Sequence, residues 1–122
     1  MSLINQGKPS RMRSVYGHNT GTSLEVVYTC PANFSAITRY LHISNSATST
    51  KKVYVQFYHA DDNEYHYIAN GLSMAGHSVA NLVNGGYFNL HSGDKIMVYG
   101  ETANTMEVLV SAEEYFDPAR RA

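Results

Sequence analysis

Residues 51–59, KKVYVQFYH, restrict the fold more than any other segment, because their apolar side chains recur at every second position. In an extended chain, Val53, Val55 and Phe57 fall on one face, and two tyrosines and a glutamine fall on the other. Valine and aromatic residues are typical of strands, so the segment predicts a β-strand with one buried face. Turn-forming residues at 61–63 precede a second aromatic run at 64–70, and together they predict a β-hairpin.

The same pattern of short extended runs continues along most of the 122 residues. Further strand-like runs lie at residues 24–30, 34–45, 77–83, 86–90, 95–101 and 105–116, separated by turn formers. Short strands at this spacing predict an all-β fold: a single antiparallel β-sandwich, Ig-like or jelly-roll-like, with about seven or eight strands. Residues 72–83 also fit an apolar helical stripe, but glycines at 71, 76, 85 and 86 favour the extended alternative.

The two ends of the chain differ from this pattern. We expect an extended N-terminal arm over residues 1–23 with one short strand near 14–17, a β-sandwich domain over 24–117 and a C-terminal tail over 118–122. The arm carries Lys8, Arg11 and Arg13 without an acid, and also Tyr16. We expect these four residues to contact a neighbouring subunit. A nucleic-acid partner is disfavoured, because the three charges lack spaced aromatic residues or an RNA-binding motif.

Composition excludes several classes of protein. Cys30 is the only cysteine, so the chain has no intrachain disulfide, and its strand-like context predicts a buried or edge thiol. No apolar run approaches about 18 residues, and the start lacks the apolar core of a signal peptide. A net charge of −1 gives no general attraction to nucleic acid or acidic membranes. The expectation is a soluble protein made in a cytoplasm, with no membrane partner.

Residues 91–94, HSGD, contain the residue types of a hydrolytic triad. A triad needs serine, histidine and carboxylate in line, which neighbouring residues of a short link between two strands do not provide. Gly93 and Asp94 instead have turn chemistry, as does Pro31 at the start of another link, so we expect structural turns at all three. Glu113 and Glu114 are consecutive in a strand and therefore face opposite sides. We predict no enzyme and no catalytic residues.

Residues 59–66, HADDNEYH, hold two histidines and three carboxylates. A hairpin tip points such side chains into water, and the spacing lacks the fixed glycine of a calcium loop, so we predict no metal site and no cofactor. The six histidines are scattered along the chain. If several meet at an interface, assembly would depend on pH between about 5 and 7.

Tyrosine dominates the aromatic residues, with ten tyrosines, four phenylalanines and no tryptophan. Tyr54 and Tyr58 lie on one strand of the predicted hairpin, and Tyr65 and Tyr67 lie on the other. These four rings form either an interface or ordinary cross-strand pairs worth about 0.2–1 kcal/mol each. Both interpretations stay open.

Two segments carry a family resemblance: TCPANFSAITRYLHISNSATSTKKVYVQFY and NLHSGDKIMVYGETANTMEVLVSAEEYF. With their Pro-Ala step, Ile-Ser-Asn strand end and Gly-Asp turn, they resemble the short β-sandwich virion proteins of tailed bacteriophages, which serve as head decoration or tail-associated adaptor components. The resemblance spans residues 28–117. It implies a non-enzymatic role in the virion, assembly in the host cytoplasm, and partners that are other copies and neighbouring capsid, portal or tail proteins. The alternative is a glycan-binding or other adhesion module whose exposed tyrosine rings stack on sugars.

Overall fold

The computed structural model describes residues 10–118, and its regular secondary structure is almost entirely β-strand. Lys8 and the rest of residues 1–9 and 119–122 lie outside the described residues. The described residues form nine strands: β1 Arg11–His18, β2 Glu25–Thr29, β3 Phe34–Asn45, β4 Lys51–His59, β5 Glu64–Met74, β6 Val79–Asn81, β7 Phe88–Leu90, β8 Lys95–Gly100 and β9 Met106–Phe116. Within residues 10–118, no helix is long and apolar enough to cross a membrane.

The strands form two antiparallel sheets. Sheet 1 has the order β1-β9-β3-β6, with β7 pairing beside β6 on the same edge of β3, and sheet 2 has the order β2-β8-β4-β5. This confirms the predicted all-β sandwich. The chain crosses between the sheets at each step from β1 to β4, stays in sheet 2 for the β4–β5 hairpin, and then returns to sheet 1. This strand order is that of a jelly roll. An immunoglobulin-type sandwich would instead pair its first two strands in one sheet.

The count of nine strands exceeds the predicted seven or eight because one row of sheet 1 is divided. Residues 77–83 and 86–90 were expected as full strands, but only Val79–Asn81 and Phe88–Leu90 pair with β3. Gly85, with a positive φ of 81°, lies in the turn between these two pieces, and His77, with φ 57°, lies in the turn before β6. Residues 72–83 thus contain the end of β5, a turn and β6, in agreement with the extended alternative.

The hydrophobic core fills the space between the sheets. In β4, Val53 and Val55 are fully buried, whereas the tyrosines between and beyond them face outward. The alternation predicted from the sequence is therefore confirmed. The largest apolar side chains in the core come from four further strands: Leu41 and Ile43, Leu90, Ile96 and Val98, and Met106, Val108 and Val110.

Strand β1 differs from the expected arm. All eight of its residues pair with β9, from Arg11 opposite Glu114 to His18 opposite Glu107, without a register shift. The expected short strand near residues 14–17 is therefore part of a longer edge strand. The extra length is stabilised because the inward positions of β1 meet suitable partners, with Val15 packing on the core and the arginines meeting Glu114.

The links between strands rest on residues that tolerate a left-handed backbone. Asn33, Asn63 and Asn104 each end a short turn with φ between 56° and 65°. Asparagine adopts this conformation more readily than other non-glycine residues. The Asn63 turn closes the β4–β5 hairpin, whose strands pair from Lys51 to His59 with two bulges.

Candidate interaction surface

The outer face of sheet 2 carries a cluster of tyrosines, here called the tyrosine surface: Tyr54, Tyr58, Tyr65, Tyr67 and Tyr99. The first four are the ones singled out in the sequence, and the structure joins them in two ring contacts, Tyr54 with Tyr67 and Tyr58 with Tyr65. Tyr99 on β8 was missed, because only the pairing of β8 with β4 places it directly opposite Tyr54.

Close ring contacts order the tyrosine surface. The rings of Tyr54 and Tyr99 stack in parallel with centroids 4.5 Å apart and an interplanar angle of 3°. Tyr58 and Tyr65 are opposite each other across the hairpin, with centroids 4.8 Å apart. Such aromatic pairs contribute about 0.5–1.5 kcal/mol beyond the area they bury. The rings are thereby held in place before any partner arrives.

Hydrogen bonds fix the polar ends of these rings. The hydroxyl oxygens of Tyr67 and Tyr99 are 3.0 Å apart, and this bond, with a smaller effect of burial, raises the pKa of Tyr99 to about 12. Tyr58 donates its hydroxyl to Oδ1 of Asn63 at 2.6 Å. The ammonium of Lys95 lies 5.3 Å from the centre of the Tyr58 ring, a cation–π distance.

The exposed parts of this face lie at its two edges. Tyr65 is 52% exposed and Tyr67 48% on the outer strand β5, and Val26 is 47% exposed on the opposite edge strand β2. Between them, Met97 on β8 is only 9% exposed. The outer face of sheet 2 therefore has exposed apolar side chains at both edges, with Gln56 of β4 between Met97 and Tyr67 in the cross-strand register.

The basic residues expected in the arm have partners within the chain. Arg11 Nε donates to Glu114 Oε1 at 2.7 Å, and Arg13 Nη1 donates to Glu114 Oε2 at 3.1 Å. Glu114 is fully buried, whereas the arginine side chains are 51% and 42% exposed. Their positions are explained by this ion pair, and a role in contacting a neighbouring subunit stays a prediction.

Tyr16 is 84% exposed and lies on the outer face of sheet 1. It lines a shallow groove of about 450 Å³ together with His18, His42, Glu107 and Leu109. Cross-strand register explains the arrangement, because Tyr16, Leu109 and His42 are successive neighbours across three strands. The groove is a second outward surface, separate from the tyrosine surface.

The turn before β8 contains Gly93 and Asp94, which are two of the three predicted turn residues, together with the triad-like residues His91 and Ser92. Gly93 has φ 89°, which favours glycine, and Asp94 is 1% exposed. The Asp94 carboxylate accepts the backbone N–H groups of His91 and Ala60, both at 2.9 Å. Asp94 therefore ties this turn to the β4–β5 hairpin. At the other predicted turn, the carbonyl of Pro31 accepts the N–H of Phe34 at 3.1 Å.

The same turn brings together a group that the sequence did not reveal. One potential metal-ligand atom from each of His59, His91 and Asp94 lies within 4.8 Å of the others. Asp62 is exposed at the hairpin tip, as the sequence predicted. Its Oδ1 also forms a hydrogen bond with Nδ1 of His59 at 2.8 Å. This bond raises the pKa of His59 and lowers that of Asp62. The sequence did not reveal this group because it depends on the pairing of β4 with β8. That pairing places Tyr58 opposite Lys95, and so brings His59, which follows Tyr58, close to the turn that ends at Asp94.

No protein-family model matches the chain, and no curated protein matches it by sequence. Solved structures do match its fold. A protein of the Bacillus endospore appendages, described as a family of disulfide-linked pili, is 15% identical with a TM-score of 0.52, over 96% of this chain and 97% of that one. A chain from the acid-stable capsid of Helicobacter pylori bacteriophage KHP30 is 14% identical with a TM-score of 0.53, over 91% and 90%. At these identities the likeness concerns the fold alone.

Proposed function

We propose that the chain is a non-enzymatic structural component of a tailed-phage virion, as a capsid decoration protein or a tail or head–tail accessory protein. It acts by assembling with copies of itself and with neighbouring virion proteins. The observation that carries the proposal is the tyrosine surface, because its rings are ordered in advance and partly exposed at the edge strand β5. Tyrosine-rich apolar faces are typical of protein–protein contacts.

The occupant that we propose for this face is a second copy of the chain. The face presents rings together with hydroxyl groups that both donate and accept, so two copies related by a two-fold axis are chemically matched. The similarity of the fold to subunits of a phage capsid and a pilus supports a role in assemblies. The edge strands β1 and β5 offer further contacts with neighbouring proteins.

Assembly in this proposal is non-covalent. The matched pili are described as disulfide-linked. This chain has a single cysteine, Cys30, which is 1% exposed and directs its Sγ to the carbonyl of Phe34 at 3.3 Å. A buried thiol is not positioned to link two folded subunits.

Purified virions of the phage that encodes the chain provide the test of location. Mass spectrometry is expected to find the chain in many copies per particle, and a cryo-EM map is expected to show the two-sheet domain on the head or tail. Absence of the chain from particles that are otherwise complete and infectious would contradict a virion role.

A glycan-binding module is the second candidate, because the Tyr65 and Tyr67 rings are exposed enough to stack on a sugar. It predicts saturable binding on a glycan array that is lost on Tyr65→Ala and retained on Tyr87→Ala. Tyr87 is a suitable control, because it is 59% exposed in the link before β7. No saturable binding by the wild-type chain would eliminate this candidate.

A further inference from the structure

We propose that His59, His91 and Asp94 form a binding site for one divalent transition-metal ion of the Zn²⁺ class. The three potential ligand atoms lie within 4.8 Å of one another. Zinc–nitrogen and zinc–oxygen bonds of about 2.0–2.1 Å in a tetrahedral site require ligand atoms about 3.3 Å apart. Binding an ion therefore requires these atoms to approach one another by at most about 1.5 Å, a movement that we assign to rotation of the two imidazole rings. This proposal is independent of the proposed virion role.

Asp94 supplies a carboxylate that is already fixed in place. Its side chain is buried, and each oxygen accepts one backbone N–H, from Ala60 and from His91. A carboxylate offers about four acceptor positions, so two remain for a metal ion. The backbone bonds also neutralise part of the cost of burying the charge.

His59 has the outer contact that a metal ligand needs. Its Nδ1 is 2.8 Å from Oδ1 of Asp62, so in the neutral ring Nδ1–H donates to the carboxylate and Nε2 keeps its lone pair. A metal-bound histidine almost always donates its other N–H to a carboxylate, a carbonyl or water. This contact is independent of the three-residue group and points to the same function.

The donor set indicates the class of ion. Two imidazoles and one carboxylate suit Zn²⁺ and its transition-metal neighbours, whereas Mg²⁺ and Ca²⁺ take oxygen ligands. The His59 side chain is 31% exposed, so water or a group from a partner can complete the coordination. A bound ion would join the end of β4 to the turn before β8, in addition to the Asp94 hydrogen bonds.

Titration of the metal-stripped, full-length chain with Zn²⁺, followed by calorimetry, tests the proposal. One ion per chain is expected, and Co²⁺ is expected to give the absorption bands of a histidine-ligated ion. His59→Ala and His91→Ala should each weaken binding by more than about 10-fold, and Asp62→Ala by about 10-fold through loss of the outer contact. His66→Ala is the matched control, because His66 lies on the same hairpin, 3.2 Å from Glu64, outside the three-residue group.

Three results would overturn the site: no saturable binding of one Zn²⁺, unchanged affinity in both histidine variants, or an equal loss in His66→Ala. Asp94→Asn is left out of the test, because it replaces one of the two oxygens that accept the backbone N–H groups of Ala60 and His91 and so also disturbs the turn. Circular dichroism of the histidine variants without metal is expected to match the wild type. That match assigns any loss of Zn²⁺ binding to the ligands.

Discussion

The phenol oxygen of Tyr28 lies 2.5 Å from Oε2 of Glu114, and this hydrogen bond joins β2 of sheet 2 to β9 of sheet 1. Both side chains are buried, at 3% and 0% exposure. Burial, together with the bond to Glu114, raises the pKa of Tyr28 well above its ordinary value. Because two arginines of β1 bond the same carboxylate, one buried acid connects three strands.

Glu114→Ala is expected to lower the free energy of unfolding by about 2 kcal/mol, because it leaves the Tyr28 hydroxyl buried without its acceptor. Urea denaturation measures the change. Arg39→Ala is the control, since Arg39 is 56% exposed and 3.8 Å from Glu113. It should change stability by less than about 0.5 kcal/mol. Equal effects of the two substitutions would show that the buried network contributes nothing beyond a surface ion pair.

The buried side chain of Asn19 should also contribute to the free energy of unfolding. Its side chain is fully buried, donates to the carbonyl of Thr102 at 2.7 Å and accepts the N–H groups of Thr105 and Met106 at 3.1 and 2.9 Å. Asn19→Ala leaves these backbone groups unpaired and should cost about 2–3 kcal/mol by thermal or urea unfolding. The exposed Asn81, which accepts a single N–H from Val83, is the control, and Asn81→Ala should cost about 1 kcal/mol or less.

Substitution of Gly76 by a larger residue should destabilise the fold for a steric reason. A Cβ at this position would lie 2.3 Å from the carbonyl oxygen of Thr48, so Gly76→Ala forces backbone atoms apart. The expected cost is about 1–3 kcal/mol, seen as a lower urea midpoint. Gly86→Ala is the control, because nothing lies within 4 Å of a Cβ there and its φ is not positive. A Gly76→Ala chain as stable as Gly86→Ala would contradict the close approach.

Alkaline pH should lower the free energy of unfolding through Tyr99 of the tyrosine surface. The pKa of Tyr99 is raised from 10.0 to about 12, so the folded state favours the neutral phenol. A raised pKa contributes stability below the unfolded value, and this contribution is lost as pH rises from about 10 towards 12. Absorbance titration of phenolate is expected to show Tyr67→Phe bringing the Tyr99 pKa back towards 10. A late-titrating phenol that persists unchanged in Tyr67→Phe would exclude the Tyr67 hydroxyl as the cause.

Local periodicity was sufficient to predict most of the fold. The alternation in β4 identified its buried and exposed faces, and the opposite faces expected for Glu113 and Glu114 are seen, with Glu113 half-exposed near Arg39 and Glu114 buried. The length of β1 was not predictable by this route. Its inward positions hold arginines, which resemble a solvated arm until their buried acidic partner is known.

The candidate sites depended more on long-range pairing. Tyr54, Tyr58, Tyr65 and Tyr67 belong to one hairpin, so local sequence was enough to group them. Tyr99 joins them only through the pairing of β8 with β4, and the same pairing brings His91 and Asp94 to His59. Residues 30 or more positions apart carry no local signal of contact. The sequence therefore predicted neither the place of Tyr99 in the tyrosine surface nor the group of His59, His91 and Asp94.

Sedimentation velocity of the full-length chain over a range of concentrations measures whether copies associate through the tyrosine surface. We expect a species heavier than the monomer, and we expect its dissociation constant to rise at least about tenfold, or about 1.4 kcal/mol, in Tyr67→Arg. Tyr87→Arg should leave association unchanged, because Tyr87 is exposed like Tyr67 but lies outside the tyrosine surface. A wild-type chain that stays monomeric at every concentration, or an association that Tyr67→Arg leaves intact, would contradict assembly of copies through this surface.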